Sequence, residues 1–136
     1  MQCGSTLSKP RVLLVDDNQA ILDCLVKMLS QDYTIVGAIR DGPRMLDAVP
    51  LLQPDIVVMD ISMPEMSGLE LARVLQETPP APPVVFVTVH DDPEFMEAAQ
   101  QVGAAGYVVK SSMETELKPA LELALKGQRF VVPTGG

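Results

Sequence analysis

Polar residues with chemical capability stand where apolar runs end. The acidic pair Asp16 and Asp17 follows Val12–Val15, and Asp60 closes the run Asp55–Asp60. Thr88 lies near the end of Val84–Val89, and Lys110 follows Gly106–Val109. Three carboxylates gathered in one crevice repel one another and rise in pKa unless positive charge neutralises them. Lys110 supplies one such charge. A hard divalent cation supplies two more, and a small set of oxygen ligands with room left for water suits Mg²⁺. The open side of that site suits a phosphoryl group. Thr88 can donate a hydrogen bond to it, and a carboxylate can attack phosphorus to form an aspartyl phosphate. Asp60 stands alone and is the better nucleophile, whereas the adjacent Asp16 and Asp17 look like metal ligands. Such chemistry is mostly positioning and charge stabilisation, and the chain carries only one histidine, His90.

The elements that must bring these residues together can be read from hydropathy. Val12–Val15, Thr34–Ile39, Asp55–Asp60, Val84–Val89 and Gly106–Val109 read as short β-strands, most of them apolar on both faces. Between them, Gln19–Leu29, Pro43–Val49, Gly68–Glu77, Asp92–Val102 and Glu114–Lys126 read as helices. Asp17 or Asn18 is placed to cap the first helix, and Pro43 and Pro93 suit first turns. Pro50 and Pro54 are expected to close the second helix, and the stretch Thr78–Pro83 to stop the third. Strands buried on both faces call for a parallel sheet with helices on each side. The expected fold class is therefore α/β, a doubly wound (βα)5 three-layer sandwich of flavodoxin type with strand order 2-1-3-4-5. That order collects Asp16, Asp17, Asp60, Thr88 and Lys110 on the carboxyl-end rim and leaves Arg40 and Asp41, on the edge strand, farther off. Each residue alone has an ordinary reading as a cap, a turn, a strand residue or a snorkelling cation. Their convergence from four strands is hard to obtain by chance.

Composition narrows the function classes. At 136 residues one domain is expected. Ten Lys and Arg against eighteen Asp and Glu give a net charge of −8, which argues against this domain gripping a nucleic-acid backbone. Cys3 lies in a polar leader and Cys24 in an apolar stretch, so neither a disulfide nor a thiolate metal site is expected. No apolar run approaches the roughly 20 residues of a membrane span, and the leader has no apolar signal core, so a cytoplasmic location is expected.

The acidic pair, the run Asp60-Ile-Ser-Met-Pro-Glu-Met-Ser-Gly68, Thr88, and Gly106-Tyr-Val-Val-Lys110-Ser111 together resemble the receiver domain of two-component response regulators, the CheY-like domains. The resemblance runs from about Arg11 to Gly127. Thr88-Val-His-Asp-Asp and Ala105-Gly-Tyr-Val-Val-Lys-Ser are similar to the branch that carries a C-terminal LuxR-type helix-turn-helix. It implies that Asp60 accepts phosphate from a phosphohistidine of a sensor histidine kinase. It implies that Asp17 binds Mg²⁺ directly, Asp16 through water, and Ser62 through its backbone carbonyl. Lys110 and Thr88 would contact the phosphoryl group, Thr88 and Tyr107 would form the switch, and Ser62 and His90 would set the rate of self-dephosphorylation. Many members have Pro after the lysine with a cis bond between them. Here Ser111 follows, and the resemblance leaves its isomer open.

These readings divide the chain into a leader 1–10, a receiver domain 11–127 and a tail or linker start 128–136. An excised N-terminal domain of a longer DNA-binding regulator is expected, with a stand-alone receiver as the alternative. Expected partners are the kinase and a second copy of the chain, in a dimer that depends on phosphorylation. Turnover is not expected, only self-catalysed phosphoryl transfer and loss. A haloacid-dehalogenase-type phosphohydrolase would need Asp-x-Asp after the first strand, where Asp16-Asp17-Asn18 stands. A nucleotide or flavin binder would need a Gly-rich loop there, and aromatics are only 4%. The full acidic set weighs against a scaffold that has lost phosphorylation.

Overall fold

Alternation along each strand builds two apolar layers from one sheet. A computed structural model of the chain describes residues 9–129. Cys3, most of the expected leader and most of the expected tail lie outside them. The described elements are β1 (Arg11–Val15), α1 (Gln19–Leu29), β2 (Thr34–Ile39), α2 (Gly42–Leu52), β3 (Ile56–Met59), α3 (Gly68–Gln76), β4 (Val84–Thr88), α4 (Pro93–Gln101), β5 (Gly106–Val109) and α5 (Met113–Leu125). All paired strands are parallel, in the order β2-β1-β3-β4-β5. The expected doubly wound α/β fold is therefore the observed one.

Successive strand residues point to opposite faces. Val12, Leu14, Ile56, Val58, Val85 and Val87 pack toward α1 and α5. Leu13, Val15, Val57, Met59, Val84 and Phe86 pack toward α2, α3 and α4. Burying a side chain of this size contributes about 1.5–3 kcal/mol, so the three central strands anchor the sheet. Cys24 is a free, half-buried thiol against the first of these layers.

Helix ends follow local chemistry. Asn18 caps α1, its side chain accepting from the Ile21 amide at 3.2 Å. Asp41 caps α2 through the Arg44 amide at 3.1 Å, and Ser67 caps α3 through the Glu70 amide at 3.2 Å. The expected end of the second helix is corrected: α2 runs on through Pro50 to Leu52. A proline forfeits only its own N–H bond and the approach to the carbonyl four residues back. Placed in the last turn, it still lets the Gln53 amide reach the Val49 carbonyl at 2.8 Å. The helix ends where Gln53 turns left-handed, at φ 49°. After β5 the chain enters a 3₁₀ turn, Lys110–Ser112, that leads into α5. Among the described residues the cis bond is Pro79–Pro80, so Lys110–Ser111 is trans.

Candidate functional site

The central strands extend their ladders just far enough to place the acids. The Asp60 amide donates to the Val15 carbonyl at 3.1 Å, and the Asp16 amide to the Ile39 carbonyl at 3.0 Å. Both carboxylates thus leave the sheet at the same level. Oxygens of Asp16, Asp17 and Asp60 lie within 4.8 Å of one another. Asp16 is 1% and Asp60 6% exposed, while Asp17 is half-buried.

Lys110 reaches into this cluster from the end of β5. Its Nζ lies 3.0 Å from Asp16 Oδ2 and 3.3 Å from Asp60 Oδ2. Burial pulls the Lys110 ammonium toward deprotonation, but the two carboxylates outweigh it and its pKa is raised. Asp16 is governed by its burial, which pushes its pKa up against the Asn18 amide and Lys110. Asp60 adds repulsion in the same direction. A carboxyl group held above its unfolded pKa favours folding while it is protonated and loses that contribution as pH rises through the folded value. Ionised Asp16 therefore costs stability at neutral pH without metal. Asp16→Asn is expected to raise the melting temperature of metal-free protein at pH 7. The gain should vanish as pH falls below the carboxylate range, and a chelator-treated melting series across pH checks it.

The loop after β3 carries the rest of the acidic site. The Ser62 amide donates to Asp60 Oδ1 at 3.3 Å. Glu65, at φ 72°, sits in a tight turn closed by the Met66 amide on the Pro64 carbonyl at 2.8 Å. The Gly68 amide donates back to the Ile61 carbonyl at 2.6 Å. A Cβ at Gly68 would run into the Asp60 carbonyl oxygen and lie 2.9 Å from Ile61 Cα. Glycine is thus required where α3 starts against the backbone of Asp60.

The opposite wall comes from β4, the loop after it and β5. Thr88 is fully buried, and its Oγ1 accepts from the His90 amide at 3.3 Å. Tyr107 is 5% exposed and donates its hydroxyl to the His90 carbonyl at 2.7 Å. Burial, followed by Asp92, Asp91 and Asp60, pushes its pKa up to about 12, so it remains a donor at neutral pH. His90 Nε2 lies 2.5 Å from Ser62 Oγ, joining the two walls.

All eight candidate residues therefore lie on or beside one rim. Three participants were not evident from sequence. Arg40 was expected to lie farther off, yet its Nε donates to the Asp17 carbonyl at 3.1 Å. Its position at the carboxyl end of β2 was the available signal. Gly68 packs on Asp60, and the Phe95 ring stacks on His90 at 4.2 Å between centroids.

Residues 12–122 match the family described as the response regulator receiver domain. The chain belongs to that family. The receiver domain is 37% identical over 125 residues to the response regulator GacA of Pseudomonas viridiflava, covering 90% of this chain and 58% of that protein. It superposes with a TM-score of 0.85 and 32% identity on a LuxR-family two-component response regulator from Aurantimonas sp. SI85-9A1, over 90% of this chain and 89% of the other. The isolated REC domain of RcsB from Salmonella enterica serovar Typhimurium, solved with the phosphomimetic BeF3−, shares the fold at a TM-score of 0.85 and 24% identity, over 93% and 96% of the two chains. The receiver spans 58% to 62% of the length of the curated relatives it matches. Among the described residues no helix is long and apolar enough to cross a membrane.

Proposed function

We propose that this receiver domain, residues 11–127, takes a phosphoryl group onto Asp60 from a phosphohistidine of a sensor histidine kinase and passes the signal to a partner surface. The observation that carries this reading is the meeting of three carboxylates with Lys110 on one rim. An Asp60 carboxylate oxygen attacks phosphorus while the nitrogen–phosphorus bond breaks, its electron pair returning to the kinase imidazole. Lys110 holds the Asp60 carboxylate before transfer and meets the new phosphoryl oxygens after it. The all-oxygen donor set, with one cation for three acids, fits a hard divalent ion. Asp17 and Asp60, Asp16 through water and the Ser62 carbonyl would hold Mg²⁺, which would supply positive charge against the phosphoryl oxygens.

Phosphorylation adds about −1.5 to −2 charge beside Thr88. Thr88 Oγ1 then donates to a phosphoryl oxygen and gives up its bond from the His90 amide. Because Tyr107 holds the His90 carbonyl, the two switch residues move with one loop. Moving a receiver from 1:99 to 99:1 needs about 5.5 kcal/mol of preference, to which these new contacts contribute. Ser62 and His90 set how fast the phosphoryl is lost. The receiver works in the cytoplasm as part of a DNA-binding transcriptional regulator of the LuxR-type branch, and phosphorylation promotes its homodimer. The family and the LuxR-family likeness support this, and the DNA contacts belong to an output domain.

The test is incubation of the purified chain with acetyl phosphate, with Mg²⁺ or with a chelator, followed by intact mass. A gain of one phosphate is expected with Mg²⁺ and none with chelator. Mg²⁺ at about 100 times its Kd should also stabilise the fold by about 2.7 kcal/mol. No gain with Mg²⁺ would overturn the reading.

A further inference from the structure

His90 is half-buried and held at both its backbone and its ring. Thr88 accepts from its amide before phosphorylation, and Tyr107 donates to its carbonyl, a bond that stays when Thr88 turns to the phosphoryl group, so its backbone stays held. Only its side-chain torsions remain free. The ring of Phe95, in the first turn of α4, takes up that freedom, stacking on the imidazole at 4.2 Å with 17° between planes. In this pose Nε2 meets Ser62 Oγ, and the Ser62 amide meets Asp60 Oδ1. The Ser62–His90 bridge therefore stands on the Oδ1 side of Asp60, while Lys110 occupies the Oδ2 side.

We propose that Phe95 is a positioning residue that locks His90 onto Ser62 and thereby lengthens the life of the phosphoryl group on Asp60. The inference rests on Asp60 being the phosphoacceptor. Loss of the group is hydrolysis. Water attacks phosphorus, the bond from phosphorus to the Asp60 oxygen breaks, and its electron pair returns to the carboxylate. Dihydrogen phosphate leaves with the water's oxygen and both its protons. While bridged, the Ser62 hydroxyl and the His90 nitrogen satisfy each other, and neither is turned toward an attacking water. Without the stack, the imidazole samples other rotamers, the bridge opens and water gains entry. Phe95 also packs against the core layer beneath α4, so its hold on His90 has to be separated from that packing.

The experiment loads wild type, Phe95→Leu, Phe95→Tyr, His90→Ala and Phe95→Leu/His90→Ala with acetyl phosphate and Mg²⁺. Donor is removed by rapid desalting and the decay of the phosphorylated mass is followed. Phe95→Leu should shorten the half-life by about 3- to 10-fold, the population change expected when one aromatic stack is lost. Phe95→Tyr should restore it. In the His90→Ala background, Phe95→Leu should add nothing, which a general loosening of α4 would not produce. Equal or longer half-lives in Phe95→Leu, or an undiminished Phe95→Leu effect without His90, overturn the inference alone. No phosphate gain on wild type overturns both it and the assignment of Asp60.

Discussion

Asp60→Asn should take up no phosphate from acetyl phosphate and Mg²⁺, yet remain folded. The amide that replaces the carboxylate is too weak a nucleophile to attack phosphorus. It keeps an oxygen that can accept from the Ser62 amide, which lies 3.3 Å from Asp60 Oδ1. Lys110 loses one carboxylate but retains Asp16 at 3.0 Å. The substitution also removes one of three mutually repelling charges within 4.8 Å. Intact mass measures the uptake and circular dichroism the fold. Undiminished uptake by the variant would place the nucleophile elsewhere.

Gly68→Ala is expected to be the most damaging single-methyl change near the site. The added Cβ meets backbone atoms of Asp60 and Ile61, which cannot rotate away as a flexible side chain would. Either α3 backs off the sheet or the loop that carries Ser62 shifts. Overpacking of this kind costs about 3 kcal/mol, or a fall of about 10 °C in Tm for a domain of this size. Displacing Asp60 by even about 1 Å should slow phosphate uptake by about 100-fold. Gly127 serves as the contrast, because nothing lies within 4 Å of a Cβ there. Gly127→Ala carries only the strain of its φ of 79° and should leave uptake unchanged. Thermal melts and uptake rates on the two variants check both statements.

Much of the site was legible because its residues interrupt strong patterns. Asp60 ends an uninterrupted apolar strand, and so does Lys110, where a charge has no packing role. Strand-end logic then placed them together, and the sheet order bears that out. What could not be read depends on contacts through space or on small offsets along a helix. Pro50 signalled an end to α2, but its consequence falls on a turn that was already finishing. Arg40 was placed by its strand, and a long side chain carried its guanidinium across to Asp17. Phe95 had the periodicity of a core residue, and nothing in its spacing announced the imidazole five residues before it. Gly68 closed the run that begins at Asp60, but its role was hidden for a different reason: a close approach between two backbones leaves no side chain to notice.

The central claim is that the carboxylate of Asp60 is the atom group that carries the phosphoryl. Borohydride reduction of the phosphorylated chain converts an acyl phosphate to the corresponding alcohol, and peptide mass analysis locates it. The expected result is a single homoserine at position 60, formed only after treatment with donor and Mg²⁺. Reduction at Asp16 or Asp17, or a phosphate that survives borohydride on a hydroxyl such as Ser62 or Thr88, would contradict it.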